Sequence, residues 1–131
     1  MSIINVRAAL ESALAAIYPS IDTAHENVAF TPSVGVPYQS AHLLLADPDD
    51  SERDSPPKER GIFQINLVYP IEAGTYDANL RAELIRSIFY KKATFLAGGE
   101  RVIVEKTPSV RPGYMDGDRW VIPVRIDFFV N

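Results

Sequence analysis

The sequence predicts an α+β domain in which two helices pack on one face of a mainly antiparallel β-sheet. Two amphipathic stretches carry apolar residues at intervals of three and four, the spacing that places them on one side of a helix. Segments that follow each stretch alternate apolar and polar residues, as half-buried strands do. The resulting order of helix, strands, helix, strands is typical of an α+β sandwich.

The two predicted helices span Ile3 to Tyr18 and Tyr76 to Lys92. Pro19 ends the first helix, because proline cannot continue one. The apolar stripe of the first helix comprises Val6, Leu10, Leu14 and Ile17. The stripe of the second comprises Leu80, Leu84 and Ile88, with Ile85 and Phe89 beside it.

Several strands are predicted, and the last of them is the clearest. They span Val28 to Thr31, Tyr38 to Ala46, Gly61 to Tyr69, Thr94 to Leu96, Arg101 to Thr107 and Arg119 to Val130. In the second of these, consecutive leucines at 43–45 leave a helix as the competing interpretation. The pair Gly98-Gly99 predicts a tight hairpin turn between the fourth strand and the fifth.

The last predicted strand has an apolar face that comprises Trp120, Ile122, Val124, Ile126, Phe128 and Val130. Its 12 extended residues span ~40 Å, more than the ~36 Å diameter of a compact domain of this size, so it must bend, protrude or extend onto a neighbour. Pro123 lacks an amide hydrogen, which confines it to an edge or a bulge. We therefore predict an edge strand. Its reverse face, with Pro123, Arg125 and Phe129, either contacts another subunit or is covered within the monomer.

The segment from Glu26 to Tyr38 contains prolines, a glycine and aromatic residues but no plausible catalytic group. Proline forces the residue before it to be extended, so Thr31 and Val36 should both be extended. Gly35 permits the positive φ of a sharp turn. These features predict a stiff connection between two strands, and stiff loops on a rigid sheet suit docking against a partner. The residues that we select here are Thr31, Pro32, Val36 and Pro37.

The chain of 131 residues is expected to form a single domain, 1–131, that buries about two-thirds of its unfolded surface. Apolar residues make up 47% of it, and cysteine is absent, which excludes disulfides and thiolate metal sites. No apolar run approaches the ~20 residues of a membrane span, and the N-terminus has no signal-peptide pattern. We therefore expect no membrane partner.

A strongly acidic segment at 47–59 accounts for the whole net charge of the chain, −4. Its polarity and its prolines predict a mobile loop. The acidic residues that we select are Asp47, Asp49, Asp50, Glu52 and Asp54. A calcium-binding loop is excluded, because Glu52 stands where such a loop needs glycine and Lys58 where it needs glutamate. The rest of the chain is neutral, which argues against nonspecific nucleic-acid binding.

No group of residues has the spacing of a catalytic site. The two histidines, His25 and His42, lie in different predicted elements and have no third ligand at a zinc-binding spacing. Ser33 and Ser109 both follow prolines and lack the surroundings of a nucleophile elbow. We therefore expect no enzymatic activity, no metal and no cofactor.

Short motifs follow one another in a distinctive order along nearly the whole chain. They are Glu26-Asn27, Phe30, Pro32, Gly35, Pro37-Tyr38, Gly61-Ile62-Phe63-Gln64-Ile65, Tyr69-Pro70, Gly74, Pro108-Ser109, Gly113, Asp116, Trp120 and Val124-Arg125-Ile126-Asp127-Phe128. In this order and spacing they resemble the small phage and prophage tail-terminator-like proteins. The resemblance implies a virion protein without enzymatic activity that forms a ring and closes the tail tube.

The resemblance also implies partners and a location. The expected partners are further copies of the chain in a ring of six, the tail-tube protein and the head–tail connector protein. The expected location is the virion tail, and the host cytoplasm during assembly. The expected subunit or partner interface comprises Thr31, Pro32, Val36, Pro37, Pro123, Arg125 and Phe129. The acidic loop is expected to face the lumen of the ring or its head side.

Two other interpretations of the sequence stay open. One is a non-catalytic domain that binds a small ligand or has a regulatory role, with Gln64 and Asn66 converging on an apolar pocket. The other is a related neck or head-joining protein, which differs in its partner and not in its chemistry.

Overall fold

The computed structural model describes residues 3–46, 59–72 and 74–131. In chain order the elements are α1 (Ile3–Ala15), β1 (Asp22–His25), β2 (Tyr38–Leu45), β3 (Glu59–Pro70), α2 (Tyr76–Ile88), β4 (Thr94–Ala97), β5 (Glu100–Val104), β6 (Ser109–Val110), β7 (Tyr114–Asp116) and β8 (Arg119–Val130). This is an α+β structure, as predicted. Apart from Glu59, which begins β3, the predicted acidic loop lies outside the described residues.

The strands form one mixed sheet in the order β1-β2-β3-β8-β5-β4, and β6 and β7 also pair with β8. Strands β1 and β2 run parallel, while the other pairs in the described part of the chain are antiparallel. The prediction of a mainly antiparallel sheet is confirmed in part, because a parallel strand forms one edge.

One buried apolar cluster contains residues of both helices and of the sheet. Along the central pair of strands, Phe63 stands opposite Ile126, and Leu67 stands opposite Ile122, so these residues share a face of the sheet. The two helices contribute Val6, Leu10, Leu14, Ala78, Ala82 and Ile85. The apolar stripe predicted for the first helix therefore lies in the core.

Strand β8 is central in the sheet, which corrects the prediction of an edge strand. It pairs with β3 along its whole length, and β7, β6 and β5 pair with successive parts of its other side. Pro123 falls between the parts that pair with β6 and β7, where its carbonyl oxygen accepts a 2.8 Å hydrogen bond from the N–H of Arg111. A proline is tolerated there because the strand beside it is interrupted, and no ladder needs its missing N–H.

The apolar side predicted for helix α2 is confirmed in part, because Ile85 and Phe89 are buried and Leu84 packs against the core. Leu80 and Ile88 are 43% and 39% exposed. The buried side comprises Ala78, Arg81, Ala82, Ile85 and Phe89. An aromatic cluster accounts for this orientation, because the ring of Phe89 lies 6.1 Å from that of Phe63 and 5.2 Å from that of Phe95.

The first edge of the sheet also differs from the prediction. The segment at 28–31 is not a strand, and β1 lies earlier in the chain. Asn27 has a φ of 58°, in the left-handed region, which is incompatible with a continuing strand. The leucines at 43–45 are extended in β2, so the competing helix is wrong. Helix α1 ends at Ala15, before the predicted end at Tyr18.

Candidate functional site

The connection between β1 and β2, residues 26–37, is fixed at its first residue. A carboxylate oxygen of Glu26 accepts a 2.5 Å hydrogen bond from the backbone N–H of Leu43 and lies 3.3 Å from the guanidinium of Arg7. The Leu43 hydrogen bond and the nearby Arg7 charge hold the pKa of Glu26 below its ordinary value, although partial burial opposes them. Strand β1 ends at His25, opposite Ala41. The carboxylate of Glu26 then accepts from the N–H of Leu43 in place of a backbone carbonyl oxygen of a longer β1.

The other end of the connection is fixed by Arg119, the first residue of β8. Its guanidinium donates hydrogen bonds of 2.8 Å to the carbonyl oxygens of Val36 and Ser33. The guanidinium carbon also lies 5.6 Å from the centre of the Tyr38 ring, within the range of a cation–π contact. One arginine therefore holds the turn of the connection against the start of the central strand.

The four residues that we selected in this connection are on the surface. Thr31, Pro32 and Val36 are exposed, and Pro37 is half-buried. Gly35 has a φ of 74°, as the turn was predicted to need. A segment that is fixed at both ends and exposed between them presents a preformed surface to a partner.

The reverse face of β8 is partly covered within the chain. Pro123, Arg125 and Phe129 are half-buried, whereas Asp127 between the last two is only 8% exposed. Asp127 pairs with Lys106 at 3.0 Å and with Arg125 at 3.2 Å. Burial raises the pKa of Asp127, but its hydrogen bonds to these two cations outweigh that effect and hold the pKa below its ordinary value. The orientation of Arg125 is therefore set by a neighbour on its own strand.

The structure does not bring the two selected groups together. The connection is attached to Arg119, at the start of β8, and Phe129 lies ten residues further along the same strand. Ten extended residues span roughly 33 Å. The candidate residues thus form two patches along β8, one at its start and one that extends from Pro123 to Phe129, and their role as an interface stays a prediction.

The other selected residues do not form a chemical site. His25 lies 3.6 Å from Glu11, and His42 shares a 3.2 Å hydrogen bond with Ser40. Gln64 donates a 3.2 Å hydrogen bond to Asn66, its neighbour on the same face of β3. Within the described ranges 3–46, 59–72 and 74–131, no three His, Cys, Asp or Glu residues are grouped as metal ligands. No helix in the described part is long and apolar enough to cross a membrane.

A model of one protein family matches residues 5–128, and that family is described as phage tail terminator protein. The chain belongs to the phage tail terminator family. This membership makes it a structural protein of the phage tail, as the ordered motifs of its sequence indicated. No curated protein matches the chain.

A solved structure of another protein shares this fold. That protein is 27% identical, and the TM-score is 0.80 over 100% of this chain and 96% of the other.

Two glycines of the motifs have structural roles in the fold. A Cβ added to Gly61 would lie 2.7 Å from the ring of Phe128, and one added to Gly113 would lie 2.4 Å from that of Trp120. Each of these two glycines therefore marks a close approach of an aromatic ring to the backbone.

Two functional candidates were missed by sequence reasoning, namely Arg119 and the buried Arg81. Arg119 contacts carbonyl groups that are 83 and 86 positions away in the chain, and no local pattern reveals such a contact. Arg81 is only 3% exposed although it lies in an amphipathic helix. The sequence gives little indication that Arg81 is buried, because arginine is rarely buried without a partner. Its only local sign of burial is its position directly before the buried Ala82.

Proposed function

We propose that this protein caps the phage tail tube, ends its polymerisation and provides the surface to which the head connector joins. Six copies form a ring that stacks on the last ring of tube subunits. The observation that carries the proposal is the match of the terminator family to residues 5–128, nearly the whole chain. The protein acts in the virion tail, after assembly in the host cytoplasm.

The ring needs two different patches on each subunit. In a closed ring of more than two copies every subunit contacts its neighbours head to tail, so the two contact surfaces differ. The connection at 31–37 and the reverse face of β8 are proposed as this pair, because the first is held at the start of β8 and the second lies further along the strand. The interface residues in this proposal are Thr31, Pro32, Val36, Pro37, Pro123, Arg125 and Phe129.

The two faces of the ring have different tasks. One face matches the end of the tail tube, while the other lacks a surface that recruits another ring of tube protein. Growth stops for that reason, and the exposed face is left for the connector.

The acidic segment faces the lumen or the head side of the ring in this proposal. Six copies of a segment with a net charge of −4 give about −24 in one ring. Such a charge repels passing DNA and keeps it from adhering to the ring. Deletion of residues 48–57 tests this role, and normal virion assembly and infectivity would contradict it.

Electron microscopy of the protein mixed with purified tail-tube protein tests the capping function. We expect tubes that carry a ring at one end and stop growing. Val36→Asp, in the connection, should abolish capping, because it places a charge in the proposed interface. Leu96→Asp is the matched control, since Leu96 is 78% exposed and belongs to neither patch. Tubes that grow equally long with and without the wild-type protein would contradict the proposal.

A further inference from the structure

Arg81 is a buried cation whose hydrogen-bonding capacity is only partly used. It is 3% exposed, and its Nη1 donates to the carbonyl oxygen of Pro19. Its Nε and Nη2 atoms are also buried and have no hydrogen-bond partner within the described residues. Burial lowers the pKa of Arg81, although the nearby Tyr69 opposes this shift. A buried guanidinium with unused N–H groups is unfavourable unless an acceptor reaches it.

A cavity at the surface lies beside Arg81. It has a volume of about 230 Å³ and lies between α2 and the loops that flank β1. Arg81 lines it together with Pro19, Pro37, Tyr69, Leu80 and Leu84. Its walls are therefore mostly apolar. Pro37, the last residue of the connection at 26–37, forms part of them.

The two unused atoms of Arg81 favour one class of ligand. Nε and Nη2 lie on the same edge of the guanidinium, the edge that a carboxylate binds with two parallel hydrogen bonds. Asp77 also lines the cavity, but among the ion pairs of the described residues it makes none with Arg81. The cavity thus offers an apolar surround and a cation that no acid of the described residues pairs with.

The geometry points to Arg81 as the binding site for a carboxylate that a second copy of this chain inserts into the cavity. This inference rests on the proposed ring, which brings copies into head-to-tail contact. The hairpin between β7 and β8 presents suitable groups, because Asp116 and Asp118 flank its turn at Gly117 and are both exposed. Tyr114 and Met115 precede them and are 49% and 63% exposed. An acid on this hairpin pairs with Arg81 while the apolar residues cover the rim of the cavity.

Self-association measured by analytical ultracentrifugation, with and without tail-tube protein, tests the pairing. We expect Arg81→Met to weaken association at least about 30-fold, as loss of a buried charge pair does. Asp116→Asn or Asp118→Asn should weaken it similarly, and combining that change with Arg81→Met should add little. Asp22→Asn, at an exposed position on β1, is the matched control and should change nothing.

Nitrogen-15 NMR of the Arg81 side chain keeps the inference testable if Arg81→Met does not fold. The Nε–H signal of the wild-type protein should move downfield on association, because it then donates to a carboxylate. Arg81→Lys keeps the charge but loses the planar fork, and we expect it to restore association only in part.

Several outcomes would overturn the inference. These are a wild-type chain that self-associates neither alone nor with tube protein, loss of association with Arg81→Met but with neither aspartate variant, and an Nε–H signal that does not move when the chain associates. The outcome for the capping function is separate. Tubes capped normally by Arg81→Met would overturn the pairing and leave the proposed function intact. A wild-type protein that pairs but caps no tubes would overturn the proposed function and leave the pairing intact.

Discussion

The carboxylate of Glu26 lies 2.5 Å from the backbone nitrogen of Leu43, at the point where β1 has ended and β2 continues. The side chain of Glu26 here accepts the hydrogen bond that the backbone of a neighbouring strand would otherwise accept. The same contact fixes the first residue of the exposed connection to the sheet, so one hydrogen bond serves both the stability of β2 and the position of the candidate interface.

Replacement of Glu26 by alanine should lower the free energy of unfolding by about 1 kcal/mol, because the N–H of Leu43 then loses its acceptor. The loss is moderate because the side chain of Glu26 is 35% exposed and water can reach the site. Urea denaturation at neutral pH measures the change. Glu83→Ala, at an exposed position on α2, is the control and should stay close to the wild type.

The contribution of Glu26 should also depend on pH in a defined direction. Its pKa in the folded protein lies below the ordinary value of 4.5. The stabilisation is therefore complete above about pH 4.5 and disappears as the pH falls through the folded pKa. Glu26→Gln keeps an acceptor but has no charge, so the difference in stability between it and the wild type should shrink in acid. A difference that stays constant from pH 7 to about pH 3 would contradict the assignment.

The orientation of α2 leads to a prediction about the stability of core variants. Ile85→Ala should cost about 2–5 kcal/mol of unfolding free energy, since it empties a fully buried site. Leu80→Ala should cost about 1 kcal/mol or less, because Leu80 is 43% exposed. Thermal denaturation of the two variants compares them directly. Equal losses would mean that Leu80 is as deeply buried as Ile85 and would contradict the observed orientation.

The sequence pattern of α2 did not show which of two adjacent stripes is the more deeply buried, because both fit the helical period. Leu80, Leu84 and Ile88 are the more hydrophobic set, yet the structure buries the stripe that contains Phe89. Aromatic contacts with residues on distant strands decided between the two stripes. In contrast, β8 was predicted with its observed bounds, because alternation over 12 residues leaves one register of buried side chains.

Gly61 provides a further prediction, since a Cβ at this position would lie 2.9 Å from the carbonyl oxygen of Leu44 as well as 2.7 Å from Phe128. Gly61→Ala should therefore lower the free energy of unfolding by about 1–3 kcal/mol. Adding Phe128→Leu makes room on one side only, so the double variant should lose less than the sum of the two single losses. Strict additivity, measured by urea denaturation, would show that Phe128 is not the obstacle.

The candidate surface was predicted in part. The sequence indicated the connection at 26–37 because prolines and glycine mark it locally. It did not reveal what holds the connection in place, since Arg119 is distant in sequence and acts through backbone carbonyl groups of any residue type. The edge position assigned to β8 was wrong for a related reason. A proline cannot donate one hydrogen bond of the ladder, so it needs a position where no neighbouring strand requires that donor. The interruption between β6 and β7 provides such a position inside the sheet.

Replacement of Arg119 by lysine should loosen the connection without unfolding the protein. Lysine keeps the positive charge but cannot donate to the carbonyl oxygens of Ser33 and Val36 from one rigid plane. The backbone N–H of Val36 donates to Ser33 and closes the turn, so its hydrogen exchange reports on the loosening. We expect exchange to become about fivefold to tenfold faster there, while amides in the centre of β8 stay unchanged.

If the connection is a ring interface, the same variant should also cap fewer tubes, because a mobile segment must be ordered on binding. Unchanged exchange at Val36 would contradict the role of Arg119, and faster exchange with normal capping would remove the connection from the interface.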